Sequence, residues 1–545
     1  SVITAVATLT VALITFAWLV IKYETTERSR KRYLHLAEIN RLELKCLDGD
    51  FSGFKTGDEY AERDHSYSYD LDIFGKASLF QYICRTTSRP ASDRLALYLK
   101  QPATKEEILL RQEAAGELQP MTDWRQELMT LGYLNAGAGS DPAPLMQWLE
   151  SDDLFRKTGR EKIITASLSL MGLTAVILVI TGLPAAILVP VFVVNFLFYF
   201  TRFKRISKLQ EQVSRSSDLL KAYSAIIRLI ENRNFASPLL QKVQSAFTSG
   251  ISASHRIRQL SKLVGRLDSR LNVLVSLPLN LLFFSDIHFC LALERWKRGH
   301  ASLIPGWFAA MAEFEVLASL GNMAFNNPGW VFPKVTEDYF VFRAEEMGHP
   351  LIPAARRKSN DFAVDGAGRA IIVTGSNMSG KSTFLRTCGV NAVLAFAGAP
   401  VCASAFTVSH VRLHSSMRIS DSLEENISSF YAELRRLRAI ITGAESDPEA
   451  FLLLDEILRG TNSDDRYTGS VALIKQLTGY GAVAMVATHD LRLAGLEQEL
   501  PRSIENYHFD VKVNDEELFF DYLLTPGICS SFNASLLMKK MGIKV

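Results

Sequence analysis

A long stretch without a single charged residue, Ile163 to Phe200, constrains this chain more than any other feature. It is too long for one ordinary spanning helix, and it breaks at Thr181-Gly182-Leu183-Pro184, where glycine and proline favour a tight turn. Each arm is close to the minimum length that crosses a bilayer. A buried helical pair in a soluble core is the alternative, but neither arm has a polar face. The stretch therefore predicts a transmembrane hairpin, assigned to residues 156–205.

Basic residues flank this hairpin on both sides. They are Arg156, Lys157, Arg160 and Lys162 before it and Arg202, Lys204, Arg205 and Lys208 after it. Because an excess of lysine and arginine marks the cytoplasmic side of a span, both ends of the hairpin are predicted to lie in the cytoplasm.

A further uncharged segment, Val2 to Ile21, is long enough to cross a bilayer as a helix. Basic residues follow it from Lys22 to Arg32, which predicts an N-terminus outside and a cytoplasmic side after the span. A signal peptide is the alternative, but it usually has its charge before the apolar stretch and small residues at a cleavage site. Residues 1–21 are therefore predicted as a transmembrane helix, giving three spans in all, and residues 22–70 as a polar juxtamembrane linker with room for one helix.

A third apolar run, Leu271 to Phe284, contains Asn272, Ser276, Pro278 and Asn280. The run is short and polar for a transmembrane helix, so we predict that it forms a helix of the protein core.

Composition narrows the remaining possibilities. With 545 residues, 48% hydrophobic and 22% charged, the chain is predicted to fold into two to four domains rather than to be disordered. The net charge of +2 means that any surface for nucleic acid must be a local patch. The six cysteines form no C-x-x-C pair, which is typical of reduced thiols in a protein working mainly in the cytosol.

Helical and α/β regions follow one another along the chain. Helices are predicted over Leu71 to about Leu131, with a capping box at Thr104-Lys105-Glu106-Glu107, over Ile206 to Arg270, and around Phe314 to Ala324. These stretches lie in a helical core assigned to residues 71–155 and 206–344. From about Glu345 short β-type runs alternate with helices, which is typical of an α/β nucleotide-binding domain, residues 345–545. The predicted strands are Ala370–Thr374, Phe451–Leu454, Val483–Ala487, Tyr507–Val513 and Leu518–Leu523. The predicted fold class is multidomain: an N-terminal transmembrane helix, an all-α core with an inserted transmembrane hairpin, and a C-terminal α/β domain.

One segment directly after the strand Ala370–Thr374 has the pattern G-x-x-x-x-G-K-[ST]. In such a loop, glycines let backbone N–H groups surround phosphates, the lysine reaches the β- and γ-phosphates, and the hydroxyl binds Mg²⁺. These roles fall to Lys381 and Ser382 and predict ATP and Mg²⁺ as cofactors. The residues assigned to phosphate binding are Gly375, Ser376, Asn377, Met378, Ser379, Gly380, Lys381, Ser382 and Thr383.

Two more predicted strands end in residues suited to phosphate chemistry. Phe451–Leu454 is followed by Asp455, a candidate Mg²⁺ ligand, and Glu456, a candidate base for the attacking water. Val483–Ala487 is followed by His489, which could sense the γ-phosphate. Taken singly, an acidic pair at a strand end or a lone histidine is more simply structural. The order of the three strand ends favours a catalytic site, with Lys381, Glu456 and His489 as its catalytic residues.

Four motifs resemble the ATPase domain of the MutS mismatch-repair family, within the ABC-type ATPases. Thr374 to Thr383 reads TGSNMSGKST and Leu453 to Asn462 reads LLDEILRGTN. Ser428-Ser429-Phe430-Tyr431-Ala432-Glu433 is similar to the family's signature segment S-T-F-x-x-E, and Ala487-Thr488-His489 is similar to its A-T-H motif. The resemblance is strong over about the last 200 residues and weaker from about Leu71 onward.

The resemblance implies that the C-terminal α/β domain is a P-loop ATPase domain of the ABC type, whose site is completed by Ser428 and Ser429 of a second protomer. It therefore implies a homodimer formed through the ATPase domains. It also implies DNA, mismatched or otherwise structured, as a partner of the helical core. The candidate DNA contacts are Lys208, Arg215, Arg256, Arg258, Lys262, Arg266 and Arg270. For any one of these residues a solvated helix face is the simpler interpretation.

Departures from the family pattern open an alternative. No room is seen for an N-terminal mismatch-reading domain, and a membrane hairpin interrupts the helical core. Arg357-Lys358 precedes Asn360 where the family often has an apolar or aromatic residue against adenine, and Leu458 stands where the family has glycine. The alternative is a membrane-bound, ATP-driven dimerisation switch or scaffold that does not recognise DNA. An ABC transporter is disfavoured because the spans are too few and the L-S-G-G-Q signature is replaced by Ser-Ser-Phe.

Overall fold

The computed structural model describes residues 2–134, 142–155, 158–214, 216–250, 252–271, 273–418, 429–447, 449–514 and 517–529. Its N-terminal part is helical and its C-terminal part contains two β-sheets. The helices of the N-terminal part are α1 Val2–Leu47, α2 Leu79–Ile83, α3 Arg89–Lys100, α4 Lys105–Leu118, α5 Thr122–Tyr133, α6 Ala143–Glu150, α7 Thr158–Ile180, α8 Leu188–Val213, α9 Ser216–Glu231, α10 Pro238–Thr248, α11 Ala253–Asp268, α12 Val273–Phe283, α13 Ser285–His300 and α14 Ile304–Asn326.

Helix α1 is a single unbroken helix of 46 residues that continues well past the predicted span. The apolar side chains of its first half are exposed, for example Phe16 at 66%. Its second half contacts the helical core, where Arg32 forms an ion pair with Glu127 of α5 at 2.7 Å. No glycine or proline interrupts Val2–Leu47, so nothing ends the helix at the predicted boundary near Ile21.

The rest of the segment predicted as a linker packs against the C-terminal sheets. Tyr67 is buried in the core. The Asp70 carboxylate accepts hydrogen bonds from the Ser415 hydroxyl at 2.8 Å and from the backbone N–H of Arg418 at 3.1 Å. The chain after α1 is therefore fixed to the edge of the α/β region rather than free.

Helices α7 and α8 form the hairpin expected from the apolar stretch, with a turn at Thr181–Pro184 in which Gly182 has φ 112°. Most of their apolar side chains are exposed. By length and composition, four helical stretches of the described chain could cross a membrane: Ala7–Leu47, Gly159–Ile180, Ala185–Val213 and Ser285–Asn326. The last is mostly buried inside the protein, whereas the other three are not.

Helix α12 differs from its prediction as a core helix. It packs against α7 and α8, and Leu277, Leu279 and Phe283 are 42–49% exposed. The sequence run is apolar enough for a core, but this helix lies beside the hairpin, where only one of its sides is covered.

The helical core is built on α14. Its side chains are apolar around nearly the whole circumference, which requires burial on all sides. Phe314 and Leu317 pack with residues of α9, α11 and α13, and the same helix reaches α3 and α4 on another side. Helix α4 begins with the predicted capping box between Thr104 and Glu107, which is confirmed.

The C-terminal part begins earlier than predicted, because its first strand starts at Lys334. Its elements are β1 Lys334–Thr336, β2 Val341–Met347, β3 Asn360–Asp365, β4 Ala370–Gly375, α15 Lys381–Ala397, β5 Ala405–Ser409, β6 Arg412–Ser416, α16 Ser429–Ser446, β7 Ala450–Asp455, α17 Ser463–Gly479, β8 Val483–Thr488, α18 Leu496–Glu499, β9 Ile504–Asn514 and β10 Glu517–Pro526. The five predicted strands are confirmed as β4, β7, β8, β9 and β10.

The larger sheet has the order β10-β9-β4-β8-β7-β6, and all its pairings are parallel except β10 with β9. Every residue of β4, β7 and β8 is buried, as expected for central parallel strands covered on both faces. The smaller sheet has the order β1-β5-β2-β3. Crossover helices place the carboxyl ends of β4, β7 and β8 along one edge of the larger sheet.

Candidate nucleotide site

The three sequence motifs meet at this edge because of the strand register. Thr374 of β4 pairs with Thr488 of β8, and Asp455 of β7 pairs with Ala487 of the same strand. The residues that follow each strand therefore leave the sheet side by side. The backbone N–H of Glu456 donates to the carbonyl of Ala487 at 2.8 Å, which extends the pairing past the end of β7.

The loop after β4 is folded too tightly for side chains at its glycines. Gly375 has φ 148°, and a Cβ there would lie 2.7 Å from Ser379 Oγ and 2.9 Å from the Phe509 carbonyl. The Ser379 hydroxyl is buried without a hydrogen-bond partner in the described chain. A tight loop of this kind at the start of α15 presents backbone N–H groups that suit an anion.

Lys381, the first residue of α15, is 4% exposed. Its Nζ donates to the carbonyls of Gly375 and Ser376 at 2.7 and 2.8 Å. Burial lowers the pKa of this ammonium group, while the carboxylates of Glu456 and Asp455 act in the opposite direction. A desolvated lysine held at the mouth of the loop is positioned to bind phosphate oxygens.

Asp455 and Ser382 lie together beneath the loop. Burial raises the pKa of the Asp455 carboxyl, and the nearby Ser382 hydroxyl acts against that rise. Asp455 Oδ1 is buried with no hydrogen-bond partner in the described chain. Within the described residues no group of three or more His, Cys, Asp or Glu side chains is placed to hold a metal. One carboxylate and one hydroxyl nevertheless fit Mg²⁺, which usually takes few protein ligands and completes its shell with phosphate oxygens and water.

Glu456 has a left-handed backbone, φ 47°, which turns its carboxylate toward the neighbouring strand end. Its Oε1 lies 3.7 Å from His489 Nδ1, and its Oε2 lies 3.1 Å from Arg459 Nε. Arg459 also approaches the Asp455 carboxylate at 3.9 Å. The structure thus brings together the predicted residues Lys381, Ser382, Asp455, Glu456 and His489, and adds an arginine that sequence reasoning did not assign.

A pocket of about 390 Å³ adjoins the loop. Besides loop residues and Glu456, it is lined by residues that sequence reasoning missed, namely Met347, Ile352, Arg356, Thr387, Phe509 and Tyr522. Tyr522 has φ 57° and lies over the loop, since a Cβ on Gly380 would be 3.1 Å from its ring. No local pattern signals Tyr522, because it reaches the loop from β10 and is fixed there by Asn360, whose amide donates to the Tyr522 carbonyl at 3.1 Å.

His349 also lines this pocket. Burial and then the neighbouring Arg386 lower the pKa of His349 to about 4, so its ring is neutral at neutral pH. The backbone N–H of Leu351 donates to its Nδ1 at 3.3 Å. Of the basic pair noted in the sequence, Lys358 lines the pocket, whereas Arg357 turns away to the Ile352 carbonyl and the Trp330 ring.

The predicted signature residues are only partly described. Ser428 lies outside the described residues, and Ser429 begins α16, its side chain not described. Phe430 and Glu433 of the same helix contact the loop that follows Glu456. A Cβ on Gly460 would lie 2.6 Å from Phe430 Cβ, and the Glu433 carboxylate accepts the backbone N–H of Leu458 at 2.5 Å.

The predicted DNA contacts fall into different environments. Lys208, Arg258, Lys262 and Arg266 are exposed, and Arg256 is half-buried. The choice of Arg270 is wrong for the folded chain, because its side chain is 8% exposed and forms an ion pair with Asp286 at 3.4 Å. Arg215 lies outside the described residues.

A large open cleft of about 1180 Å³ lies between α9 and α11, which we call the basic cleft. Six exposed cationic or titratable residues line it: Arg28, Lys221, Arg228, His255, Arg258 and Lys262. Among the described residues that line it, Glu231 is the one acidic side chain, and its carboxylate accepts hydrogen bonds from the hydroxyls of Ser252 and Ser254. The cleft therefore presents a concentrated positive charge on a chain that is nearly neutral overall.

Comparison with known proteins places the site in a known class of domain. Residues 371–541 match the family model described as MutS domain V. DNA mismatch repair protein MutS of Methanosarcina mazei is 34% identical over 221 residues, 39% of this chain and 24% of that protein. The MutS proteins of Chloroflexus aurantiacus and Aquifex pyrophilus are 30% and 31% identical over 42% and 40% of this chain. The C-terminal part of the chain is therefore similar to MutS domain V, and the match spans about a quarter of each relative's length.

Proposed function

We propose that the chain is a membrane-anchored, Mg²⁺-dependent ATPase that binds DNA as an ATP-gated homodimer. The observation that carries the proposal is the convergence of Lys381, the Ser382–Asp455 pair and Glu456 at adjacent strand ends. Such an arrangement supplies an anion cradle, a metal site and a base within one small volume. Similarity to MutS domain V supports the same chemistry.

Each residue has a distinct task in this proposal. Lys381 exchanges its contacts with the Gly375 and Ser376 carbonyls for the β- and γ-phosphate oxygens. Ser382 and Asp455 would hold Mg²⁺, which when bound offsets the charge of the phosphates. Glu456 orients the attacking water and accepts its proton, and the nearby His489 and Arg459 keep that carboxylate in position.

Dimerisation supplies the remaining contacts. In this proposal, Ser429, the first residue of α16, and Ser428, which precedes it in the sequence, bind the γ-phosphate held by a second protomer. Glu433 of α16 is hydrogen-bonded to the loop that follows Glu456. When the α16 of one protomer binds the nucleotide of its neighbour, the position of Glu456 in the first protomer therefore changes as well. The two sites of the dimer are thereby connected.

The basic cleft supports DNA as the partner. Arg258 and Lys262 line it together with four further basic residues from α1, α9 and α11. Lysine and arginine side chains that neutralise phosphates provide most non-specific affinity for DNA, and they do so in a salt-dependent manner.

Exposed apolar helices support the membrane anchor. The span at the start of α1 and the hairpin α7–α8 present side chains such as Val193, 49% exposed, and Ile180, 79% exposed. Such a surface is far larger than soluble proteins leave in contact with water, and basic residues bound it where each span would leave the bilayer.

The test is DNA binding by the detergent-solubilised Glu456→Gln protein, which should retain ATP without cleaving it. Homoduplex, mismatched and branched DNA are compared with and without Mg-ATP across a salt series. Nucleotide-dependent binding with a steep salt dependence supports the proposal. Absence of binding at low salt, with ATP turnover intact in the unmodified protein, would instead favour a membrane-bound dimerisation switch that does not use DNA.

A further inference from the structure

Helix α12 and the turn into α13 form a small unit with the hairpin. Helix α12 lies against both α7 and α8, and Phe284, with φ 50°, separates it from α13, which packs in the helical core. Gly172 of α7 allows close packing here, because a Cβ on it would lie 3.3 Å from Asn195 Nδ2 and 3.7 Å from Leu282 Cδ2. Small residues commonly permit such approach between helices in a bilayer.

The contacts of α12 show how far it lies from the charged boundary of the hairpin, along the axis of α8. Arg202 of α8 and Glu161 of α7 form an ion pair at 3.3 Å, and this pair marks the boundary between the charged flanks and the uncharged arms. The Leu281 carbonyl near the end of α12 accepts a hydrogen bond at 2.7 Å from Asn195. Asn195 lies two helical turns inside that boundary, about 10 Å along the axis of α8.

Polar groups at this end of α12 are bonded to protein rather than left for water. The Asn280 side chain donates to the Ser276 carbonyl at 2.8 Å and accepts the backbone N–H of Asp286 at 2.9 Å. The Asp286 carboxylate accepts the Tyr199 hydroxyl at 2.8 Å and pairs with Arg270. A helix end inside hydrocarbon requires such internal partners, because no water is available to its backbone groups.

The outward side of α12 remains apolar. Leu277, Leu279 and Phe283 are exposed, and the helix flanks α7 and α8, whose outward side chains are also apolar. At 11 residues, α12 is far too short to cross a bilayer. A short apolar helix that leaves and rejoins the helical core on the same side therefore fits a re-entrant position rather than a span.

Building on the proposed membrane anchor, we propose that α12 is a re-entrant helix that enters the cytoplasmic leaflet beside the hairpin and contacts lipid acyl chains through Leu277, Leu279 and Phe283. Helix α13 then connects α12 directly to the helical core, in which Phe284 is itself buried. The membrane contact of the chain is consequently a surface made by four helices, α1, α7, α8 and α12.

The experiment places a cysteine-linked, environment-sensitive fluorophore at one position at a time in the full chain, reconstituted in vesicles of phosphatidylcholine and phosphatidylglycerol. The positions are Leu279→Cys in α12, Val193→Cys in α8 as the membrane reference, and Leu303→Cys, which is 42% exposed on the helical core, as the aqueous reference. The six natural cysteines are buried, and labelling of the unmodified protein measures their contribution. Quenching is recorded with nitroxide lipids labelled at a shallow or a deep acyl position.

Leu279 is expected to be quenched at least about threefold more strongly than Leu303, and by the deep nitroxide at least as strongly as by the shallow one, because this end of α12 lies about 10 Å inside a leaflet whose hydrocarbon is about 15 Å thick. Asn195→Ala should reduce the Leu279 signal while leaving Val193 unchanged. Quenching at Val193 together with a Leu279 signal equal to that of Leu303 would overturn the re-entrant helix and leave the hairpin in the membrane. Absence of quenching at Val193 would overturn the membrane anchor itself, and the re-entrant helix with it.

Discussion

The carboxylate of Glu433 accepts a hydrogen bond from the backbone N–H of Leu458 at 2.5 Å, across the space between α16 and the loop that follows Glu456. Leu458 has φ 59°, a left-handed conformation that leucine seldom adopts. Burial raises the pKa of Glu433, and the backbone donors of Leu458, Arg459 and Gly460 act against that rise. The segment proposed as the signature motif and the segment that carries Glu456, the proposed base, are thus joined within one chain.

Replacing Leu458 should reveal how much strain this loop holds. The side chain is 8% exposed and packs against α17, so Leu458→Ala is expected to lower the unfolding free energy by about 2–4 kcal/mol. Leu458→Gly loses the same contacts but relieves the left-handed backbone, so it should be more stable than the alanine variant by about 1 kcal/mol. Denaturant unfolding of the two variants measures the difference. Equal stability of the two variants would mean that the left-handed backbone at residue 458 does not lower the unfolding free energy.

Lys381→Ala should abolish nucleotide binding. Its ammonium group is buried at the phosphate loop, and loss of a charge-assisted contact there is expected to weaken ATP binding by about 100-fold or more. Binding of a fluorescent ATP analogue gives the comparison. Lys358→Ala is the matched control, because that lysine lines the same pocket from an exposed position and should change affinity only slightly. An unchanged affinity for ATP in Lys381→Ala would contradict the assignment of this loop to phosphate binding.

Tyr522 is expected to contribute to nucleotide affinity through its ring. It lies over Gly380 at the mouth of the pocket, so Tyr522→Ala should weaken ATP binding by about 3- to 10-fold, and Tyr522→Phe should restore it. Tyr339 is equally exposed at 43% but does not line the pocket, which makes Tyr339→Ala the control. A loss in the phenylalanine variant as well would point to the hydroxyl instead of the ring.

Acid should destabilise the C-terminal part partly through His349. Its pKa is lowered from the ordinary 6.5 to about 4, so between these values the unfolded chain binds a proton that the folded chain does not. The contribution to stability is therefore complete above pH 6.5 and is lost as the pH falls toward 4. His349→Gln removes the titrating group, and its Tm in detergent should fall less than that of the unmodified protein between pH 7 and pH 4.5. Parallel pH profiles would contradict this account.

DNA binding, if it takes place in the basic cleft, should depend on Arg258 and Lys262 together. Removing both to alanine eliminates two phosphate contacts, which should reduce the slope of log affinity against log salt by about 2. Lys475→Ala serves as a control, because that lysine is exposed but pairs with Glu499 outside the cleft. An unchanged slope in the double variant would show that DNA does not bind in this cleft.

Most residues that converge at the candidate nucleotide site can be predicted from the sequence, because each carries a local signal. Strand, loop and helix follow one another from Ala370 to Thr383, and parallel strands bring Asp455 and His489 to the same edge. Tyr522 was missed because it reaches the loop from a distant strand, and Arg270 was misassigned because its partner Asp286 lies on another helix. Helix α12 was placed in the core because an apolar run does not reveal which neighbour will cover it.

The unbroken helix α1 and the hairpin have a consequence for symmetry. In the proposed arrangement both protomers of a dimer are inserted in one flat bilayer with the same side facing the cytoplasm, since α1 and the end of α8 are both packed against the core of their own protomer. Only a rotation about the membrane normal relates two such molecules without turning one of them upside down. The two-fold axis of the ATP-bound dimer must then stand perpendicular to the membrane, and protomers find one another by lateral diffusion in two dimensions rather than by tumbling in solution.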